Sequence, residues 1–184
     1  MKRFLSIVLM ACVVLGWTSC KKYSPTYRKG MPSEYALAYQ QQFSRCYDSI
    51  PYDVVALDLY SEGLELDANR RIRGTGYNLY LSDIFVPDDT TRLVAGTYRS
   101  NDSGQPFSFL PGRDWDGTPT GIYLLYIEED KLQSILVLDS GLMVVKDTTN
   151  GLIDLQFTLY YKNAYGYKAT YKTHFQGVLR PWEK

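Results

Sequence analysis

The chain has 184 residues, 45% of them hydrophobic, and its 20 Lys+Arg balance its 20 Asp+Glu, so it has no general attraction for nucleic acid. A chain of this length fits one domain and buries roughly two thirds of its unfolded surface, which removes the need for a disulfide staple. Its three cysteines include no obvious structural pair.

The first nineteen residues run from Met1-Lys2-Arg3 through an apolar stretch, Phe4 to Val14, to Leu15-Gly16-Trp17-Thr18-Ser19. A positive start, an apolar middle and a small-residue end are the order of an export signal. The apolar stretch is too short for a membrane span, which needs roughly 20 residues. Thr18-Ser19-Cys20 closing it resembles the lipobox of bacterial lipoproteins, with Trp17 standing where leucine is usual. The resemblance covers residues 1 to 22 and implies cleavage before Cys20, followed by lipidation of that residue with three acyl chains. Several chains anchor stably where one gives only marginal, reversible membrane binding. Lys21 and Lys22, with Arg28 and Lys29, then lie either against lipid headgroups or along a solvated tether. These lysines lack the acidic run that resembles a surface-export signal, which favours an outer-membrane lipoprotein facing the periplasm.

Loss of residues 1–19 removes Lys2 and Arg3, leaving 18 Lys+Arg against 20 Asp+Glu and a mature net charge of −2. Cys12 leaves with the signal, and Cys46 remains as a buried small hydrophobe or a free thiol. Residues 20–34 carry two prolines, a glycine and scattered charges, and read as a tether. The folded domain is expected over 35–184. In "YALAYQQQFSR" Tyr35, Leu37, Tyr39 and Phe43 alternate with smaller or polar residues and suit a strand, although Tyr35, Ala38, Tyr39, Gln42, Phe43 and Cys46 also fit a helical face.

Strand patterning dominates the remainder. Val55, Leu57 and Leu59 fall on one face of "DVVALDLY", and Tyr77, Leu79 and Leu81 on one face of "GTGYNLYLSD", so the two segments are expected to pair as a long hairpin. "LVAGTYRS" reads as a short strand and "LPGRDWDGTPTG" as a loop. "IYLLYIEE", "LQSILVLD" and "GLMVVKD" look like strands buried on both faces. A final hairpin puts Ile153, Leu155, Phe157 and Leu159 inward on one strand and Tyr167, Ala169, Tyr171 and Phe175 inward on the other. The expected fold is all-β, an antiparallel β-sandwich or alternatively a closed barrel, with about eight to ten strands. The body is similar in general pattern to small β-rich envelope lipoproteins of Gram-negative anaerobes and, more distantly, to calycin-like barrels.

Little in the sequence points to catalysis or to a cofactor. After signal removal and lipidation only His174 and Cys46 remain as soft ligands, too few for zinc. "GRDWDG" begins like a calcium loop but lacks the later ligands, and its aspartates suit a turn. Paired acids for glycoside hydrolysis would have to come from Asp83, Asp88, Asp89, Asp114, Asp116 or Glu128-Glu129-Asp130, all in turn-like segments. Tyrosine is the unusual feature, with seventeen in the chain and Tyr160, Tyr161, Tyr165, Tyr167 and Tyr171 gathered near the last turn. Tyrosine joins a broad apolar face to a hydroxyl at low conformational cost, which suits contact surfaces, although cross-strand packing uses it equally well. The expected contact residues are Trp115, Tyr160, Tyr161, Tyr165 and Tyr167. The expected role is a non-enzymatic, lipid-anchored envelope protein that binds a glycan or peptide, with an accessory role in an outer-membrane or surface assembly as the alternative.

Overall fold

The computed structural model describes residues 30–43, 53–87, 92–147, 152–163 and 165–182. Residues 1–19, read above as an export signal, lie outside them together with Cys20, Cys46, Asp88 and Asp89, as does the side chain of Trp115.

Sixteen strands follow in chain order among the described residues, more than the eight to ten expected, because segments read as turn, loop or tether form short paired strands of two or three residues. They are β1 (Glu34–Tyr35), β2 (Leu37–Phe43), β3 (Val54–Tyr60), β4 (Leu64–Leu66), β5 (Ile72–Gly74), β6 (Gly76–Phe85), β7 (Gly96–Ser100) and β8 (Ser108–Phe109). The second half comprises β9 (Arg113–Trp115), β10 (Thr118–Thr120), β11 (Ile122–Glu128), β12 (Lys131–Val137), β13 (Ser140–Asp147), β14 (Ile153–Lys162), β15 (Lys168–Gly177) and β16 (Arg180–Pro181). The fold is all-β, as alternation requires.

Twelve strands form a single sheet, strongly curled into a half-barrel, while β4–β5 and β9–β10 form separate two-stranded ribbons. The sheet is mixed: β1 runs parallel to β15, β7 to β8 and β16 to β2, and the remaining pairs are antiparallel. One curled sheet lies nearer to the barrel alternative than to two sheets stacked face to face. The two ends of the curl approach through the first strand. Glu34 and Tyr35 pair with His174 and Phe175, and after a bend at Ala36 the same strand pairs with β3 from Leu37 onward.

That bend reverses the side-chain parity. Tyr35 and Ala38 enter the main core, while Leu37 and Tyr39 turn to the outer face of the sheet. The strand reading of 35–43 therefore holds, but its apolar residues divide between two faces. The order also begins earlier than Tyr35. Tyr35 donates from its hydroxyl to that of Tyr171 at 2.9 Å, Tyr171 donates to the Pro32 carbonyl at 2.8 Å, and the His174 amide bonds the Ser33 carbonyl. Burial pushes both hydroxyls upward, that of Tyr171 to about 12, so both stay protonated and this relay is intact at physiological pH.

The main core lies inside the curl. A row from Ala38 through Leu59, Leu79 and Leu124 to Leu136 shows how the register stacks apolar residues on that face. The expected hairpin of β3 and β6 forms, with the small β4–β5 ribbon inserted at its turn. A smaller cluster of Tyr60, Leu64 and Ile127, flanked by Leu37, Tyr39, Leu66 and Ile72, covers part of the outer face. This is why β3 is buried on both sides.

The sheet forks at a bulge in β6. Ser82 and Asp83 stand opposite one residue of β3, and Asp83 takes a left-handed φ of 52°. Before the bulge β6 pairs with β11, and after it with β8. As a result β11 and β12 leave the main path as a ribbon. β12 pairs only with β11 among the described strands, with Gln133 as an extra residue, and its positions 131–135 are exposed. The expectation that β12 is buried on both faces is thus corrected: its apolar run lies on a projecting edge rather than inside the curl.

Candidate binding surfaces

The β14–β15 hairpin ends in a tip held by one side chain. The Asn163 carboxamide oxygen accepts from the amides of Tyr165 and Tyr167, each at 3.0 Å, and the Asn163 amide donates to the Tyr167 carbonyl at 2.8 Å. Asparagine suits this place because its short side chain can copy a backbone turn. The pinned backbone leaves Tyr165 and Tyr167 standing in solvent, 85% and 71% exposed. Tyr167 was expected to face inward, but the β15 ladder begins only at Lys168, so Tyr167 belongs to the turn. Tyr160 points outward on β14, whereas Tyr161 falls on the inward parity and is buried in the core. Of the four candidate tyrosines, the structure places Tyr165, Tyr167 and Tyr160 on the surface and sets Tyr161 aside for packing.

Trp115 does not sit in a loop. It ends β9 and pairs with Thr118 across a hairpin whose turn residues Asp116 and Gly117 have φ of 50° and 82°, the left-handed pair that a tight two-residue turn needs. The Asp114 carboxylate accepts from the Gly117 amide at 2.9 Å, so this aspartate closes the turn, as its place beside glycine led one to expect. An Arg113–Asp102 ion pair ties the hairpin to the neighbouring loop. Gly112 bonds the Leu138 carbonyl, and Ser140 stands opposite Tyr160, so the Trp115 hairpin and the tyrosine tip leave the sheet at the same end.

The remaining sequence candidates resolve into structural parts. Glu129 and Asp130 form the β11–β12 turn with φ of 51° and 65°. Asp130 accepts from the Gly74 amide and pairs with Arg73, which also reaches Asp67 at 3.0 Å. Backbone hydrogen bonds, from Gly74 to Asp130 and from Arg71 to Asp67, are the main cause holding both carboxyls below their usual range. His174 points outward, 3.7 Å from the Glu34 carboxylate. Among the described residues no group of three His, Cys, Asp or Glu side chains could hold a metal ion.

Sequence reading missed a constellation on the outer face. The register sets Tyr39, Asp58, Tyr80 and Tyr123 in one row across β2, β3, β6 and β11, with Tyr60 and Asn78 opposite each other in the next. Directly opposed side chains of an antiparallel pair project from the same face. The Asp58 carboxylate accepts a hydrogen bond from the Tyr60 hydroxyl at 2.7 Å and a second from the Asn78 amide group. Tyr80 and Tyr123 lie side by side with ring centroids 5.0 Å apart, tilted by 32°. The signal was available: Asp58 is the one charge inside the strand segment "VVALDLY", but attention to the leucine face hid it.

Desolvation pushes the Asp58 carboxyl upward, and the bonds from Tyr60 and Asn78 only partly oppose it. An acid whose pKa rises on folding holds its proton longer in the folded chain than in the unfolded one. Stability therefore falls as pH climbs from the ordinary carboxylate value to the raised one, and the full penalty applies above that. Asp58→Asn removes the charge and keeps the shape, with the Tyr60 hydroxyl free to turn from donor to acceptor. Thermal melts are expected to show a higher Tm for this variant at pH 7, with the difference fading as the pH drops below about 4. A lower Tm at pH 7 would contradict the desolvation account.

A cleft of about 820 Å³ opens at the other end of the sheet, lined by Gln40, Gln42, Arg92, Asp147, Leu179 and Trp182 among others. Trp182 closes one side by packing edge-on against Tyr39 at 5.6 Å, with the Arg70 guanidinium 5.2 Å above its ring. No protein-family profile, curated protein or solved structure matches the chain.

Proposed function

We propose that the chain is a lipid-anchored protein of the bacterial cell envelope, held by Cys20 in the outer membrane and facing the periplasm, that acts by binding a glycan or peptide through the β14–β15 tip. The observation that carries this reading is the pair Tyr165 and Tyr167, two large aromatic side chains exposed on a backbone already fixed by Asn163. A fixed tip loses little conformational freedom on binding, so the contact energy of the two rings is retained. The Trp115 hairpin, leaving the sheet at the same end, extends the surface available to a long ligand.

The test is an affinity comparison over a panel of cell-wall glycans and extended peptides, using the detergent-solubilised full chain and its Tyr165→Ser/Tyr167→Ser variant. The double variant is expected to keep its melting temperature, since both residues are exposed, and to lose roughly 2–4 kcal/mol of affinity for whichever ligand binds. Unchanged affinity would remove the tip from the account. The accessory-subunit reading has its own observation in the β12 edge, where Leu132 and Ile135 are 54% and 41% exposed. An extended partner strand could add there. That reading predicts a stoichiometric partner lost on Ile135→Glu and kept in the tyrosine double variant.

A further inference from the structure

We propose that the trough around Asp58 on the outer face of the sheet binds an organic ammonium group, with the carboxylate as its counter-charge and the tyrosines as its walls. The trough has two aromatic sides. Tyr39, backed edge to face at 5.9 Å by the buried Tyr60, forms one, and Tyr80 and Tyr123 lie nearly side by side on the other. Asp58 stands between them in the row, half-buried, while Tyr39, Tyr80 and Tyr123 remain partly open to solvent.

The chemistry of the floor selects the ligand. Each carboxylate oxygen has room for about two hydrogen bonds, and each here accepts one, from Tyr60 or from Asn78. Both donors are neutral, and among the described residues no lysine, arginine or histidine pairs with Asp58. Arg180 is engaged nearby, but by the Tyr39 ring and hydroxyl. When ionised, the carboxylate therefore stands among aromatic faces with no cationic partner among the described residues. A cation within reach of tyrosine faces gains ~0.5–1 kcal/mol at an exposed site and about 2 when desolvated. An alkylated ammonium uses both features at once. A neutral sugar would stack on the rings and leave the charge unanswered, and a calcium ion would find one carboxylate where it needs roughly six to eight oxygen ligands. The burial that weakens the fold by raising Asp58 fits the same picture, since binding sites commonly trade stability for function.

This surface is separate from the hairpin tip, so failure of either leaves the other standing. The experiment is an NMR titration of the full chain with tetramethylammonium and with choline, against sodium chloride at equal ionic strength and methyl glucoside as a neutral probe. Saturable shifts of the Tyr80 and Tyr123 ring signals are expected with both ammonium probes. Asp58→Asn, whose fold is checked by its melt, should weaken them roughly tenfold or more, and Tyr123→Ala should do likewise. Absence of saturation at millimolar ammonium, equal affinity in Asp58→Asn, or methyl glucoside binding as well as the ammonium probes would each overturn the proposal.

Discussion

If the proposed lipid anchor holds the chain in the outer membrane, Cys20→Ser is expected to abolish acylation and to release the chain from that membrane. Each methylene buried in the bilayer contributes ~0.8 kcal/mol, so the three chains implied by the lipobox resemblance hold far beyond what thermal motion reverses. The basic residues that follow contribute only about 1 kcal/mol each near an anionic surface, and salt screens them. No helix among the described residues is long and apolar enough to cross a membrane. The measurement is metabolic labelling with an alkyne fatty acid, followed by membrane fractionation through a high-salt wash. The unaltered chain should carry label and sediment with outer membrane, and the variant should carry none. A labelled variant, or an unlabelled parent chain, would overturn the anchor.

Gly112→Ala should be among the most damaging single changes available in the domain. A Cβ at this position would lie 2.2 Å from the Ile122 carbonyl oxygen and 2.4 Å from that of Leu138, and both obstacles are backbone. Side chains could swing away, but these carbonyls cannot, because Gly112 donates to Leu138 and Leu138 donates to Ile122 in the junction that joins β11, β12 and the Trp115 hairpin. Overpacking together with the loss of these two bonds should cost on the order of 3–5 kcal/mol. For a chain of this size that lowers Tm by roughly 10 °C or more. Gly117 supplies the control. It has φ of 82° with nothing near its would-be Cβ, so Gly117→Ala should cost only about 1 kcal/mol of backbone strain. Comparable losses in the two variants would mean that the junction is not close-packed.

Period-2 alternation made the strands legible because each has one face on the core, and the β3–β6 and β14–β15 pairings follow from it directly. Alternation carries no information about which face of a strand meets a second layer, and this is where the reading failed. Leu37 and Tyr39 looked like continuations of the face that carries Tyr35, yet they belong to the outer cluster. Leu132, Ile135 and Leu136 looked like one buried run, yet the fork at Ser82-Asp83 carries β12 off the body and leaves the first two exposed. Aspartate accepts a left-handed φ more readily than most residues, but nothing in the run "LSDIF" singles out Asp83 as the point where the sheet forks. The tyrosine tip was half legible. Clustering found it, but separating Tyr161 from Tyr165 and Tyr167 required knowing that the ladder stops at Lys162 and Lys168. Asp58 needed the register across four strands before its neighbours became visible.

The most direct measurement of a binding role is an aromatic NMR map of the full chain against the glycan and peptide panel, with the ligand recovered and analysed afterwards. The account predicts saturable shifts centred on the Tyr165 and Tyr167 rings and a ligand recovered intact. Shifts that avoid both rings, or a ligand returned cleaved, would contradict it.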